Sequence, residues 1–246
     1  TVPQYYRDVN RVWPSLADQK KVTQRADHII AVSENTKGDL INYWNIPEEK
    51  ITTIYHGIGP ALKNLSPERV FPFDYILYVG HRNAYKNFNN CLRAFKSINN
   101  THKMLNLVCT GVRFQKNELA QISKLKLENR VFAVSATEEQ MARLYRDALL
   151  FVYPSYYEGF GMPILEAMQY HCPVVLSDAS CFPEIAQDAA YYFDPHNEGK
   201  MAEVMLDVID NVSLRNTLIQ KGDIRIRNFS WGESANGHMA VYKSLL

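Results

Sequence analysis

Residues 158–173 read Glu-Gly-Phe-Gly-Met-Pro-Ile-Leu-Glu-Ala-Met-Gln-Tyr-His-Cys-Pro. This stretch predicts a glycine-containing loop that enters a helix, because Pro163 suits the first helical position, where its missing N–H costs nothing. Free amides and the helix dipole at such a start favour an anion. The amides predicted to face it belong to Gly159, Phe160 and Gly161. Glu166, expected in the first turn, could accept hydrogen bonds from two ribose hydroxyls; phosphate plus ribose predicts a nucleotide.

The alternative for this stretch is an ordinary turn whose glycines only relieve backbone strain. The number of features that agree with one another favours the nucleotide site.

Composition limits the classes of function. The chain has 246 residues, 46% of them hydrophobic, enough for one large domain or somewhat more. A net charge of +1 argues against binding to nucleic acid, so anion binding must be local. The four cysteines have neither metal-ligand nor disulfide-framework spacing, which predicts a reducing, cytoplasmic compartment. We find no membrane-length apolar run and no signal peptide in this sequence.

Apolar strand-like runs alternate with helical patterns, which predicts a parallel α/β sheet. The predicted strands are Ile29–Val32, Ile51–Ile54, Tyr75–Val79, Leu105–Cys109, Val131–Ala133, Leu149–Tyr153, Val174–Leu176 and Tyr191–Phe193. The predicted helices are Phe88–Ile98, Glu118–Lys126, Glu138–Arg146, Pro163–Tyr170, Lys200–Asp210, Leu214–Asn228 and Trp231–Leu246. Capping boxes are predicted for Thr137 with Gln140 and for Ser230 with Glu233.

A second group of candidate residues follows the predicted strand Tyr75–Val79, in the sequence Gly80-His-Arg-Asn-Ala-Tyr-Lys-Asn87. Ligands of open α/β sheets bind beyond the carboxyl ends of the strands. The planar guanidinium of Arg82 can donate bidentate hydrogen bonds to phosphate oxygens, and the ammonium of Lys86 can act as a point charge. Alone, these cations would be solvated loop residues. Together with the stretch at 158–166 they favour a diphosphate site.

Both motifs resemble the donor-sugar site of glycosyltransferase family 4, a group of retaining enzymes with the two-domain GT-B architecture. Residues 158–167 fill every fixed position of its signature, Glu-Gly-Phe-Gly-x-Pro-x-x-Glu-Ala. The resemblance implies an α/β fold with a Rossmann-like parallel sheet, helices on both faces and C-terminal helices, forming the C-terminal half of a GT-B enzyme.

The resemblance also implies roles for individual residues. The family places the Arg and Lys of a Gly-x-Arg-x-x-x-Lys loop on the donor diphosphate, where negative charge develops as the sugar leaves. The implied catalytic residues are Arg82, Lys86 and Glu158, with Glu158 beside the donor sugar. The implied donor-binding residues are Gly80, Arg82, Lys86, Gly159, Phe160, Gly161 and Glu166, the last on the ribose. We expect no metal and no cofactor other than the donor, since GT-B enzymes have no obligatory metal and the chain has no Asp-x-Asp pair.

Other segments extend the resemblance over nearly the whole chain. Ala26–Leu40 and Ile51–Ile58 are similar to the end of the family's acceptor domain, and Phe229-Ser230-Trp231 precedes the helix that returns to it. The implied division is 1–56 as the acceptor-domain tail, 57–73 as a hinge, 74–229 as the nucleotide-sugar domain and 230–246 as the returning helix. Because the chain begins at Thr1, in the middle of an element, we expect the rest of the acceptor domain upstream.

The chain departs from the family pattern at a few positions. His81 and Asn87 stand where glycines are usual, and His171 replaces a glycine at a predicted helix end. Weaker candidates for donor contacts are Arg113, residues 134–137 and residues 153–157. Glu184 is predicted to be structural.

The resulting hypothesis is a retaining glycosyltransferase that moves a sugar from a UDP- or GDP-sugar to a hydroxyl of a carbohydrate or lipid-linked acceptor, in polysaccharide or glycoconjugate synthesis. A cytoplasmic location, with peripheral association at the inner membrane face, is compatible with this resemblance. The alternatives are a nucleotide-sugar epimerase of the same architecture and a nucleotide-binding module without catalysis. A dinucleotide oxidoreductase is excluded, because Ile164 stands where its glycine pattern requires a third glycine.

Overall fold

The computed structural model of the chain describes residues 16–82 and 84–246. It contains a two-stranded and a six-stranded parallel sheet. The strands are β1 (Ile29–Ala31), β2 (Ile51–Thr53), β3 (Tyr75–Tyr78), β4 (Asn106–Thr110), β5 (Val131–Val134), β6 (Leu150–Tyr153), β7 (Val174–Ser177) and β8 (Ala190–Phe193). All eight predicted strands are confirmed, with ends that shift by one residue at most.

Helices connect the strands and follow the last of them. They are α1 (Leu16–Arg25), α2 (Glu34–Trp44), α3 (Phe88–Thr101), α4 (Lys116–Lys124), α5 (Glu138–Asp147), α6 (Met162–Gln169), α7 (Phe182–Ala186), α8 (Glu198–Asp210), α9 (Val212–Arg225) and α10 (Trp231–Ser244). The predicted capping box of Thr137 and Gln140 is present at α5. At α10, the Ser230 side chain accepts from the Gly232 and Glu233 amides.

The large sheet has the strand order β5-β4-β3-β6-β7-β8. The chain first runs outward from β3 to β5 and then restarts on the other side of β3 with β6. The carboxyl ends of β3 and β6 therefore form a topological switch point, the place where open α/β sheets bind ligands.

Both faces of this sheet are buried, which explains why its strands are continuous apolar runs. Tyr75 and Leu77 point into a cluster with residues of α5, α6 and α7. Ile76 and Tyr78 point into the opposite cluster, with residues of α3 and α8. The predicted Rossmann-like fold with helices on both faces and at the C-terminus is thus confirmed.

One local prediction is wrong. Helix α6 begins at Met162, because Gly161 takes a left-handed conformation (φ 93°) and serves as its N-cap. Pro163 is therefore the second helical residue, still within the turn whose N–H groups have no helical partner. Glu166 consequently lies beyond the first turn, which contains no acidic residue.

The smaller unit consists of the parallel pair β1–β2 with α2. It joins the large sheet through the predicted hinge segment, where Gly57 approaches α10 closely. A Cβ atom added to Gly57 would stand 2.0 Å from the Trp231 nitrogen, so this contact excludes any side chain. The first fifteen residues of the predicted acceptor-domain tail lie outside the described residues, and the predicted domain boundaries stay predictions. No helix of the described part has the length and apolarity to cross a bilayer.

Candidate functional site

The two predicted motifs meet at the switch point. After β3, a 3-10 turn (Ala84–Lys86) aims Lys86 back at the sheet. Its Nζ lies 2.5 Å from Oε1 of Glu158, which is 72 residues further along the chain. The Tyr153 hydroxyl, at the end of β6, lies 3.1 Å from the same nitrogen. The structure thus brings together a cation and a carboxylate that the sequence placed in separate motifs.

This charge pair is largely shielded from water. The side chains of Lys86 and Glu158 are only 11% and 14% exposed. Burial, followed by the neighbouring Glu158 charge, raises the pKa of Tyr153 well above its usual value. Tyr153 is therefore a neutral hydroxyl donor or acceptor at physiological pH, and the charge of the site belongs to Lys86 and Glu158.

Gly80 provides space beside Lys86. It has a left-handed backbone (φ 113°), and a Cβ atom there would lie 4.0 Å from the Lys86 Nζ. Gly111, at the end of the neighbouring strand β4, is also left-handed, and its Cβ would stand 3.4 Å from the Gly80 carbonyl oxygen. Two adjacent strands thus end in glycines, which leaves the backbone accessible at the switch point. Asn83, in the same loop, lies outside the described residues.

Arg82 takes a direction different from that of Lys86. Its Nε lies 2.8 Å from Oε1 of Glu118, and its Nη2 donates to the Val112 carbonyl at 2.6 Å. The guanidinium also lies 4.9 Å from the Phe114 ring centroid. Its side chain is 2% exposed, and the buried Nη1 has no hydrogen-bond partner among the described residues. Arg82 thus stabilises the loop after β4 through hydrogen bonds. Its contact with phosphate stays a prediction.

The signature loop lies between the two units of the structure. The hydroxyl of Ser33, the N-cap of α2, donates to the Gly159 carbonyl at 2.7 Å. Phe160 is buried, and its ring packs against those of Tyr55, His56 and Phe229. The predicted donor contact of Phe160 could therefore come only from its backbone amide.

Glu166 lies in a separate part of the site. Its Oε2 accepts from the Tyr145 hydroxyl at 2.8 Å. Burial, together with the Glu166 charge, raises the pKa of Tyr145 well above its usual value, so the tyrosine keeps its proton. Glu166 also lines a cavity of about 280 Å³ next to the hinge, together with Ile58, Pro60, Glu138 and Met141. The two signature glutamates thus have different partners, Lys86 and Tyr145, as two distinct roles would require.

Other residues singled out in the sequence make contacts within the fold, and the donor contact of Arg113 stays a prediction. The carboxylate of Glu184 accepts from the amides of Glu34 and Asn35 at 2.7 and 3.0 Å, which stabilises the start of α2 through its dipole. The Arg113 carbonyl accepts from Arg82. His171 follows α6 with φ 56° and pairs with Asp223.

Several residues at the site were not predicted. Ser33 and Ser180 hold the signature loop, and Glu118 holds Arg82. Ser33 lies 126 residues from its partner, so no local sequence signal could have revealed the contact. Within 16–82 and 84–246, no group of three or more His, Cys, Asp or Glu side chains is arranged to hold a metal ion.

Two family models match the chain. The model described as glycosyl transferases group 1 matches residues 71–225. The model of glycosyltransferase family 4 matches residues 3–62.

Relatives with curated names include O-antigen chain mannosyltransferase B of Escherichia coli, 28% identical over 88% of this chain and 60% of that protein. O-antigen chain mannosyltransferase RfbU of Salmonella typhimurium is 28% identical over 73% of this chain and 50% of that protein. The chain thus spans about half to three fifths of the length of these relatives.

Similar solved structures include sucrose-phosphate synthase from Thermosynechococcus elongatus, with a TM-score of 0.79 and 21% identity over 97% of this chain and 63% of that chain. The Anabaena protein HepE, solved with UDP and glucose, gives a TM-score of 0.78 and 18% identity over 94% of this chain and 68% of that chain. At these identities the likeness concerns the fold.

Proposed function

This chain belongs to the group 1 glycosyl transferases, and on that premise we propose that it is the donor-binding part of an enzyme that transfers a sugar, with retention, from a UDP- or GDP-sugar to a hydroxyl group. The acceptor is a carbohydrate or a lipid-linked carbohydrate held outside this chain, in polysaccharide or glycoconjugate synthesis. Because two relatives bear the name of O-antigen mannosyltransferases, mannose is the first sugar to test.

The observation that carries the proposal is the convergence of Lys86 and Glu158 at the switch point, 2.5 Å apart. A structural turn does not need a shielded cation at the carboxyl ends of β3 and β6. Departure of a nucleoside diphosphate does need one, because negative charge develops on the leaving phosphate and a preorganised cation stabilises it.

The remaining roles follow from charge and hydrogen-bonding capacity. The amides of Gly159, Phe160 and Gly161 receive phosphate oxygens, with Gly80 giving the diphosphate close access to the backbone. Among the described residues, Nη1 of Arg82 is buried and has no hydrogen-bond partner. This supports a phosphate contact for Arg82 as well, because a buried N–H without a partner is costly unless a ligand satisfies it. Glu158 contacts hydroxyls of the donor sugar, and Glu166 accepts hydrogen bonds from the ribose.

The proposal includes no metal and no cofactor besides the donor, because amides and cations can balance the diphosphate charge. It also includes no nucleic-acid partner. We place the protein in the cytoplasm, at the inner face of the membrane where a lipid-linked acceptor would be reached.

The first experiment is a calorimetric titration of the intact protein with UDP, GDP and ADP, repeated for Lys86→Ala. Loss of a hydrogen bond from a charged group should weaken the best nucleotide by about tenfold or more. Transfer from the matching mannose donor, with the product anomer identified by NMR, then tests turnover and retention. Absence of binding by all three nucleotides would contradict the proposal. Binding without turnover on any acceptor would favour the nucleotide-binding module.

A further inference from the structure

The carbonyl groups of Glu158, Gly159 and Phe160 in the signature loop each accept a hydrogen bond from a side chain. Ser180 Oγ donates to the Glu158 carbonyl at 2.5 Å, and Ser33 Oγ donates to the Gly159 carbonyl at 2.7 Å. The Phe160 carbonyl accepts a weaker bond from Cys181 Sγ at 3.2 Å. Three successive carbonyls therefore have fixed directions.

Fixing a carbonyl also fixes the amide of the next residue. The peptide bonds of the described residues are trans, and in a trans peptide the C=O and N–H vectors point in opposite directions. A carbonyl held towards Ser33 thus turns the Phe160 N–H away from α2. The same relation applies to the Gly159 amide opposite Ser180 and to the Gly161 amide opposite Cys181.

The three amides are available to donate hydrogen bonds to a ligand. In the part of the chain that the structure describes, the N–H groups of Gly159, Phe160 and Gly161 have no hydrogen-bond partner. Buried or half-buried N–H groups without a partner are uncommon, and a ligand is one way to satisfy them. Among the described residues, these three amides are thus unoccupied donors, whereas the carbonyls of Glu158, Gly159 and Phe160 are occupied acceptors.

Ser33 differs from Ser180 because it belongs to the smaller unit. It is fully buried, and besides donating to Gly159 it accepts from the Thr36 amide at 3.0 Å as the N-cap of α2. Thr36 Oγ1 is a second, longer donor to the same carbonyl, at 3.3 Å. Glu184, from the large unit, holds the start of α2 in return.

We propose that Ser33 is a positioning residue for the donor diphosphate: by holding the Gly159 carbonyl across the boundary between the two units, it directs the Phe160 amide at the phosphate. The proposal rests on the proposed function, since it assigns to the smaller unit a share in organising the same donor site. Donor binding then strengthens when the two units are in contact and weakens when they separate.

The test compares a nucleoside diphosphate with its nucleoside in the intact protein, using whichever of UDP or GDP binds better. Ser33→Ala should weaken binding of the diphosphate about fivefold, the value of one ordinary hydrogen bond. It should leave the affinity for the nucleoside unchanged. Ser33→Ala with Thr36→Val removes both donors and should weaken the diphosphate further. Ser33→Thr keeps the hydroxyl and should restore the affinity.

Asn211→Ala is the matched control, because the Asn211 side chain caps α9 through the Leu214 amide as Ser33 caps α2. It should lower the melting temperature without changing diphosphate affinity. An equal effect of Ser33→Ala on nucleoside and diphosphate, or unchanged affinity in the double variant, would overturn the proposal while the proposed function stands. No nucleotide binding by the unaltered protein would instead count against the proposed function.

Ser180→Gly keeps the proposal testable if the Ser33 variants do not fold. Ser180 has φ 57°, a conformation that glycine adopts without strain, so this substitution removes the hydroxyl and preserves the backbone. Release of the Glu158 carbonyl should also weaken binding of the diphosphate more than binding of the nucleoside. Diphosphate affinity equal to that of the unaltered protein would contradict the idea that held carbonyls direct the amides.

Discussion

Lys86 and Glu158 form an ion pair with 2.5 Å between Nζ and Oε1, although they belong to motifs 72 residues apart. Each neutralises the other before any donor binds. A nucleoside diphosphate would compete with Glu158 for Lys86, and a sugar would offer hydroxyls to the released carboxylate. Under the proposed function, the pair would therefore link recognition of the phosphate with recognition of the sugar.

We expect Lys86→Met to lower the free energy of unfolding by roughly 3 kcal/mol, because it leaves a largely buried carboxylate without a partner. Lys86→Met combined with Glu158→Gln should recover most of this loss, since no unpaired charge remains. Denaturant unfolding of the unaltered protein, Lys86→Met, Glu158→Gln and the double variant measures both effects. Additive losses in the double variant would show that the two groups do not interact.

Glu166→Gln should remove discrimination between a ribonucleotide and its 2′,3′-dideoxy analogue. Because we propose that the ribose hydroxyls donate to the carboxylate, the analogue should bind about tenfold more weakly to the unaltered protein. Competition binding with the two nucleotides gives the ratio for each protein. A ratio near one in the unaltered protein would remove Glu166 from the ribose.

Arg82→Lys should lower both stability and diphosphate affinity, because an ammonium cannot reproduce the forked contacts to Glu118 and Val112. Glu118→Gln, which keeps the arginine, should lower stability without lowering diphosphate affinity. Thermal unfolding and calorimetry separate the two quantities. Unchanged affinity in Arg82→Lys would restrict Arg82 to fastening the loop after β4.

His56 gives stability a dependence on pH. Burial, and then the charge of His238, lowers the pKa of His56 below its usual value. The unfolded chain therefore takes up a proton more readily, and stability present above pH of about 6.5 is lost as the pH falls through the folded-state pKa.

The decrease in melting temperature between pH 7 and pH 5 should accordingly be smaller in His56→Gln than in the unaltered protein. His171→Gln, at an exposed position, is the control and should retain the full decrease. An equal pH dependence in all three proteins would exclude His56 as the source.

The strands could be predicted because most are largely apolar runs, and the central strands β3, β4, β6 and β7 are buried on both faces, a property of the local sequence. The family resemblance likewise singled out Lys86, Glu158 and Glu166, whose roles in donor binding stay predictions. The predicted start of α6 is wrong by one residue, because proline is tolerated throughout the first turn of a helix. The left-handed Gly161 makes Met162 the first helical residue and Pro163 the second. The orientation of the Arg82 side chain could not be predicted from the local sequence, since its partner Glu118 lies 36 residues away.

By itself, the sequence determined the alternation of strands and helices, the family and the two motifs that are predicted to face a nucleotide. These depend on burial patterns and on chemistry within short stretches of chain. Only the tertiary structure decided that Lys86 pairs with Glu158, that Arg82 turns to Glu118 and that Ser33 holds Gly159. Contacts of this kind form when parallel strands end at one edge of a sheet and two units meet there, so they depend on the packing of distant segments.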